Sequence, residues 1–203
     1  NILFNSLNFL FPQTTNDYFE SKIKNIIISD AVIFYTDYVQ QIFWQTNNAN
    51  FLLQFDNLGA DINFSADLNM ENKIIPVGIF SRYESYNKNN KIEVKFSNLD
   101  PENLLKFSPF FSDLKRISMP VNGNINFQLN SENIISDISF NIFSNEGSID
   151  LKPFLLTPLS LTSMKMTGEV NEKDRIITFK ELDLNSGSAS FTGTALISDN
   201  NDG

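Results

Sequence analysis

The segment Val121-Asn-Gly-Asn-Ile-Asn-Phe-Gln-Leu129 alternates polar residues with apolar residues or glycine over its whole length. Successive side chains of a β-strand point to opposite faces, so this pattern predicts a strand with one apolar face and one polar face. Asn122-Gly123 is also a hairpin signal. Because it stays in phase with the alternation, we expect Gly123 to occupy a close-packed or bulged position within the strand.

Similar alternation extends in both directions from this segment. Its clearest further runs are Ile26–Phe34, Phe51–Phe55, Ile62–Leu68, Ile92–Phe96, Ile138–Ile142, Ile149–Leu151, Leu159–Leu161, Ile177–Phe179, Leu182–Leu184 and Phe191–Ile197. Asn- and Gly-rich turn signals separate the runs, among them Asn47-Asn48, Asn57-Leu58-Gly59 and Asn185-Ser186-Gly187. The sequence therefore predicts a mainly β protein, in which consecutive antiparallel strands are joined by short hairpins.

Helical spacing is confined to two places, around residues 16–22 and 101–115. The second is the stronger candidate. Asp100 stands at the predicted N-cap, Pro101 at the first helical position and Glu102 in the first turn, which matches the preferences of helix N-termini. We therefore expect one or two short helices beside the sheet.

The composition excludes several classes of function. The chain has 203 residues, of which 20 are Phe, and contains neither His nor Cys. Without these residues there is no His-based triad, no thiol nucleophile, no imidazole or thiolate metal site and no disulfide. A net charge of −9 argues against binding to a phosphate backbone, so we expect no nucleic-acid partner. We predict no enzyme activity, no catalytic residue, no metal site and no cofactor.

Carboxylates are the main acid–base groups that remain, besides Lys and Tyr. Asp30 and Asp37 flank one predicted strand, and Asp56 and Asp61 flank one predicted turn. No spacing among them is typical of a hydrolase. We interpret them as turn caps and solvated strand ends, and a carboxylate-based hydrolase is the least favoured function.

The apolar stripe itself has two interpretations. In one, it is the core of a closed β-sandwich that binds glycans or proteins at its surface. In the other, it is the open face of a sheet that meets lipid chains. Periodicity does not separate the two, and composition alone favours the closed core.

Several segments, taken in order, resemble the AsmA-like superfamily, and within it the large periplasmic proteins of the YhdP and TamB type. Lys24–Asp37 resembles the recurrent strand pair of that family. Phe96–Leu105 resembles the family segment in which a strand ends and a short helix begins at a proline. Leu114–Phe127 is similar to the following step into a strand with a Pro-Val-x-Gly signature. Asn145–Leu151, Pro158–Leu161 and Gly168–Val170 resemble the next repeat.

The resemblance implies a long, twisted antiparallel meander sheet curled into a groove. It also implies a non-enzymatic periplasmic module that moves phospholipid towards the outer membrane or assists outer-membrane assembly. Anchoring in the inner membrane of a double-membrane bacterium would come from segments outside this chain, and other envelope proteins are possible partners. We expect residues 1–203 to form one β-groove module of a larger protein, with possible sub-repeats 24–98 and 118–198 joined by a helical segment 100–116.

In a lipid-binding groove, the side chains that face acyl chains would come from the apolar positions of the strands and from the predicted helix. The candidates are Phe51, Leu53, Phe55, Ile62, Phe64, Ile125, Phe127, Leu129, Phe140, Ile142, Leu104 and Leu105.

Overall fold

A computed structural model of the protein describes residues 24–38, 42–70, 73–102, 116–132, 134–150, 152, 155–171, 173–174 and 176–198. These residues form thirteen β-strands. The strands are β1 (Asn25–Asp37), β2 (Ile42–Asp56), β3 (Gly59–Met70), β4 (Lys73–Glu84), β5 (Asn89–Leu99), β6 (Ile117–Ser118), β7 (Val121–Leu129), β8 (Ile135–Ser144), β9 (Gly147–Ile149), β10 (Leu159–Leu161), β11 (Ser163–Asn171), β12 (Ile176–Asn185) and β13 (Ser190–Ser198).

Ten strands form one large antiparallel meander, in the order β1-β2-β3-β4-β5-β7-β8-β11-β12-β13. The predicted mainly β antiparallel fold is confirmed. β1 and β13 are the two edges and do not pair with each other, so the sheet is open. β5 pairs directly with β7, and the two predicted sub-repeats therefore share one continuous sheet.

Three short strands leave the meander and form a second sheet in the order β10-β9-β6. This small sheet packs on the large one through a cluster of buried side chains: Phe96, Val121 and Met164 from the large sheet, with Met119 and Leu161 from the smaller layer. Each of the five is at most 8% exposed. Consecutive hairpins alone do not describe the fold, because the chain departs from the meander after β5 and again after β8.

The strand register gives the large sheet one apolar face. Ile28 pairs with Phe51, Phe51 with Phe64, and Phe64 with Ile79. Further along, Val94 pairs with Ile125 and Ile125 with Phe140. Paired residues of an antiparallel sheet place their side chains on the same face, so this row of apolar side chains runs across the meander. The intervening positions, such as Asn63, carry mainly polar residues on the other face.

Bulges interrupt several strand pairs, and most of the residues at the bulges are Asp or Asn with a positive φ. Asp30, Asn48, Asn98 and Asp137 have φ angles between 52° and 55°. Asp and Asn tolerate this left-handed conformation better than other non-glycine residues. The predicted turn at Asn47-Asn48 is wrong, because β2 continues through it and the register shifts there instead. A bulge produced the same local signal as a turn, since both need a residue with positive φ.

Gly123 lies within β7, near its beginning, as expected from its phase. Its φ is +152°, and an added Cβ would lie 2.1 Å from the carbonyl oxygen of Asn141 on β8. The close approach of two backbones explains why this strand position holds a glycine.

Only the start of the second predicted helix falls within the described residues. The chain leaves β5 in a 3₁₀ turn at Pro101–Glu102, and the Glu102 N–H donates to Asp100 Oδ1 at 3.3 Å. This contact agrees with the capping role predicted for Asp100. The remainder of that helix, with Leu104 and Leu105, and the predicted helix at 16–22 lie outside the described residues.

Candidate functional site

The apolar face of the large sheet is the candidate functional surface. All ten predicted groove residues that the structure describes lie on it: Phe51, Leu53, Phe55, Ile62, Phe64, Ile125, Phe127, Leu129, Phe140 and Ile142. Their exposure differs with position. Ile62 and Leu129 are each 4% exposed, whereas the remaining eight are half-buried. The face is therefore partly accessible, and its role in lipid binding stays a prediction.

The small sheet covers one end of this face. The buried cluster around Met119 and Leu161 also contacts half-buried residues of the large sheet, including Val77, Ile142 and Met166. Farther along the strands, Phe64, Ile79 and Phe140 are half-buried and do not belong to this cluster. Beyond the covered end, the apolar face thus carries half-buried side chains together with buried ones such as Ile62, Ile75 and Ile92.

On the part of the apolar face that the small sheet does not cover, the rings of Phe140 and Phe179 meet beside Gly168. The ring centroids of Phe140 and Phe179 lie 5.6 Å apart in an edge-to-face arrangement, a favourable geometry for aromatic pairs. Gly168 is paired with both residues. An added Cβ on Gly168 would lie 2.6 Å from the Phe140 ring. Because Gly168 has no side chain, the two rings can meet above β11, which lies between β8 and β12.

A shallow, open cavity of about 350 Å³ lies across β1, β2 and β3, next to the bulges of β1 and β2. Ile28, Phe51 and Phe64 contribute to its lining. The backbone N–H of Asp30 donates to Asn50 Oδ1 at 3.2 Å, so an Asn side chain from β2 satisfies the donor that the β1 bulge releases. Small-ligand sites usually have volumes of about 300–1,000 Å³. The cavity reaches the lower part of that range.

Sequence reasoning missed two residues of the same face on β4, Val77 and Ile79. β4 reads Ile74-Ile75-Pro76-Val77-Gly78-Ile79-Phe80, and apolar residues on both faces hide its alternation. The missed signal is the register with β3, because Ile79 pairs with Phe64 and Val77 with Ala66. Pro76 is tolerated in this strand because the β4–β5 ladder begins only at Val77.

The opposite face of the large sheet carries ion pairs. Arg82 donates two hydrogen bonds to Asp56, at 2.8 Å and 3.0 Å, and lies 3.2 Å from Asp61. This arrangement, with the backbone N–H groups of Leu58 and Gly59, holds the pKa of Asp56 at about 2. Asp56 thus caps the β2–β3 turn, which agrees with the interpretation of the Asp56 and Asp61 pair as structural groups.

A second ionic group surrounds Glu84 at the β4–β5 hairpin. Lys91 Nζ donates to its carboxylate at 2.8 Å, and Asn87 and Tyr86 donate to the other oxygen. These hydrogen bonds, that of Lys91 foremost, lower the pKa of Glu84 to about 2. Charged groups are thereby concentrated at turns and on the polar face, where water solvates them.

The apolar face offers mainly apolar contact surface. Its side chains are aliphatic and aromatic, with small polar exceptions such as Ser81, which donates to Asn90 Oδ1 at 2.6 Å. In the described ranges, no three acidic side chains converge closely enough to hold a metal ion. No helix among the same residues is long and apolar enough to cross a bilayer. The arrangement suits the binding of apolar groups.

Comparison with known proteins adds no relative to this picture. No protein-family model matches the chain, and no curated protein and no solved structure matches it significantly. The resemblance to the AsmA-like superfamily therefore stays a prediction based on short sequence patterns.

Proposed function

We propose that this chain is a non-enzymatic lipid-conduit or scaffold module whose apolar face shields phospholipid acyl chains from water. The observation that supports the proposal most directly is the separation of the two faces of the ten-stranded sheet. One face is mainly apolar, and the other carries the Arg82 ion pairs and other charged side chains, with exposed apolar residues such as Ile27 and Phe80 between them.

The energetics favour an aliphatic ligand. Removing one CH₂ group from water contributes about 0.8 kcal/mol, so a few contacted methylenes give measurable affinity without any directed bond. The half-buried rings of Phe51, Phe64 and Phe140 offer such contacts. Charged headgroups would remain in solvent at the margin of the sheet, because the apolar face has no buried cation to bind them among the described residues.

The cellular setting belongs to the same proposal and rests on the sequence resemblance. We place the module in the periplasm of a double-membrane bacterium, as part of an inner-membrane-anchored protein, between the inner and outer membranes. Other envelope proteins would be its partners. The alternative, a closed β-sandwich that binds glycans or proteins, requires a second layer over the whole apolar face. The small sheet supplies that layer at one end.

Lipid analysis tests the proposal directly. The purified protein is extracted with organic solvent, and mass spectrometry quantifies the lipids that co-purify with it. Phospholipid in near-stoichiometric amount is expected. A lipid-free protein that also fails to take up phospholipid from vesicles would contradict the function while leaving the fold unchanged.

A charge on the apolar face separates the open surface from a closed core. Phe127 is half-buried and pairs with Ile92. With the face open, Phe127→Glu should fold cooperatively and melt within several degrees of the parent, since about 1 kcal/mol shifts the melting temperature of such a chain by roughly 2–4 °C. It should co-purify with much less phospholipid. In a closed core, the buried unpaired carboxylate would cost several kcal/mol and unfold the protein.

The matched control places the same charge on the opposite face of the same strand. Asn126 lies opposite Glu93, so a new carboxylate there would repel its neighbour. Asn124 lies opposite Lys95 and is the better choice. Asn124→Glu should change neither melting temperature nor bound lipid. Lipid loss in this variant as well would show that the loss does not depend on the face that carries the charge.

A further inference from the structure

We propose that the polar face of the large sheet carries a binding site for a neutral oligosaccharide, in a cavity where β8 and β12 begin and β11 and β13 end. The cavity is open and has a volume of about 740 Å³. Small-ligand sites usually have volumes of about 300–1,000 Å³. This inference does not depend on lipid binding at the apolar face, and either proposal can fail alone.

Four neighbouring strands each contribute one residue to a row that lines the cavity. Ser139 on β8 pairs with Glu169 on β11. Glu169 pairs in turn with Thr178 on β12, and Thr178 pairs with Leu196 on β13. Ser139 directly precedes Phe140 of the apolar face, so this row lies on the opposite, polar face. The register thus brings two hydroxyl groups, one carboxylate and one aliphatic side chain together.

The polar groups of this row have hydrogen-bonding capacity that the described residues do not use. Ser139 and Thr178 are half-buried, and neither side chain has a hydrogen-bond partner among the residues that the structure describes. Glu169 accepts from Lys180 through Oε1, which leaves Oε2 able to accept a hydrogen from a ligand. A sugar hydroxyl both donates and accepts, so it can bond to a Ser or Thr hydroxyl and to a carboxylate.

The charges at the cavity favour a neutral ligand. Among the described residues, Asp137 and Glu169 are the carboxylates of its lining, and Lys173 is the cation. Lys180 neutralises Glu169 by donating to it. These four charges balance, so neither an anion nor a cation meets a net opposite charge there. The net charge of −9 on the whole chain also repels an anionic ligand.

Aliphatic side chains in the lining provide the other half of the chemistry that a sugar needs. Leu196 is 64% exposed although it lies on the polar face, and Ile176 lines the same cavity and is half-buried. A pyranose ring presents C–H groups on its faces and hydroxyl groups around its margin. Contact with Leu196 and Ile176 removes the C–H groups from water, which is favourable. The combination of hydroxyl, carboxylate and aliphatic groups therefore favours a sugar over a purely apolar ligand or an ion.

NMR titration of the ¹⁵N-labelled protein tests the site with three neutral oligosaccharides: chitotetraose, cellotetraose and maltotetraose. At least one of them is expected to bind and to shift the backbone amide signals of Ser139, Glu169 and Thr178. Glycerophosphoethanolamine, a zwitterionic lipid headgroup, should not shift these signals. Binding of none of the three sugars, sugar binding that shifts only signals elsewhere, or equal shifts by the headgroup would overturn the proposal.

A matched pair of Thr→Val variants tests the role of the hydroxyl group. Thr178→Val should raise the dissociation constant of the bound sugar about three- to tenfold, because one neutral hydrogen bond is lost. Thr167→Val is the control, since Thr167 is half-buried on the same face but does not line the cavity, and this variant should bind as the parent does. Circular dichroism checks that both variants fold. Unchanged binding by Thr178→Val, or an equal loss in Thr167→Val, would overturn the proposal.

Discussion

At the scale of single residues, Asp and Asn do much of the structural work in this chain. Asn is abundant in the sequence, and composition alone gives no reason to assign roles to individual asparagines. In the structure, Asn50 and Asn122 accept hydrogen bonds from backbone N–H groups at bulges, and Asp56 caps a turn. Each of these bonds satisfies a donor that the regular ladder leaves free.

The lowered pKa of Glu84 predicts a measurable dependence of stability on pH. Its folded pKa is about 2, below its ordinary value of 4.5, so the ionised form stabilises the folded state. That stabilisation is present above pH 4.5 and is lost as the pH falls towards 2. Thermal melting between pH 6 and pH 2 should show a smaller loss of stability for Glu84→Gln than for the parent.

The parallel comparison is Glu132→Gln, at an exposed turn without that ionic group. This variant should follow the pH dependence of the parent. If Glu84→Gln and the parent lose stability equally over this range, the hydrogen bonds from Lys91, Asn87 and Tyr86 do not stabilise the carboxylate in solution.

At the scale of the elements, the bulges decide how each strand meets its neighbour. β5 is bulged at Asn98, whose φ is 55°, and its N–H donates to Asn122 Oδ1 on β7 at 2.8 Å. The β1–β2 bulge uses the same arrangement with Asp30 and Asn50. A neighbouring Asn thus supplies the acceptor in both places, which fixes the register on either side of the bulge.

Removing the acceptor Asn122 Oδ1 should weaken the pairing of β7 with β5. Asn122→Ala is expected to lower the free energy of unfolding by about 1 kcal/mol, the usual value of one hydrogen bond in an exposed setting. Chemical denaturation measures the change. Asn126→Ala, on the same face of the same strand, is the control and should differ from the parent by less than about 0.5 kcal/mol. Equal effects of the two substitutions would assign the loss to the strand rather than to the bulge.

At the scale of the whole molecule, a buried apolar cluster lies where the small sheet covers the large one. Phe96, Met119, Val121, Leu161 and Met164 form the buried cluster there. Most apolar side chains on the remaining face are only half-buried. Beside these half-buried side chains, Ile62, Ile75 and Ile92 are buried, so burial on this face is not confined to the covered end.

Shortening a buried side chain at the covered end of the apolar face should therefore lower the free energy of unfolding. Leu161 is 4% exposed, and Leu161→Ala should lower the free energy of unfolding by about 2–5 kcal/mol through lost burial and a cavity. Leu156, at 94% exposed, is the matched control, and Leu156→Ala should change stability by less than about 0.5 kcal/mol. Denaturation curves give both values. A small effect at Leu161 would mean that the two sheets do not stabilise each other.

The sequence by itself determined the fold class and the face of most strands. Alternation has a period of two, and the backbone alone dictates that successive side chains of a strand point to opposite sides. The runs at 51–55, 62–68 and 121–129 therefore lie on the face expected, and Asp100 accepts the predicted capping bond. The proposed ligand and cellular setting rest on resemblance and remain predictions.

Only the tertiary structure decided which strands leave the meander and how the apolar face is covered. The run at 159–161 resembles a strand of the large sheet in sequence but forms β10 of the small sheet, and of the run at 149–151 the structure places only Ile149 in a strand, at the end of β9. Local pattern carries no information about pairing partners, because pairing depends on contacts between residues far apart in the chain. The Asn47-Asn48 bulge was misread for the same reason, since a positive φ fits a turn and a bulge equally well until the neighbouring strand is in place.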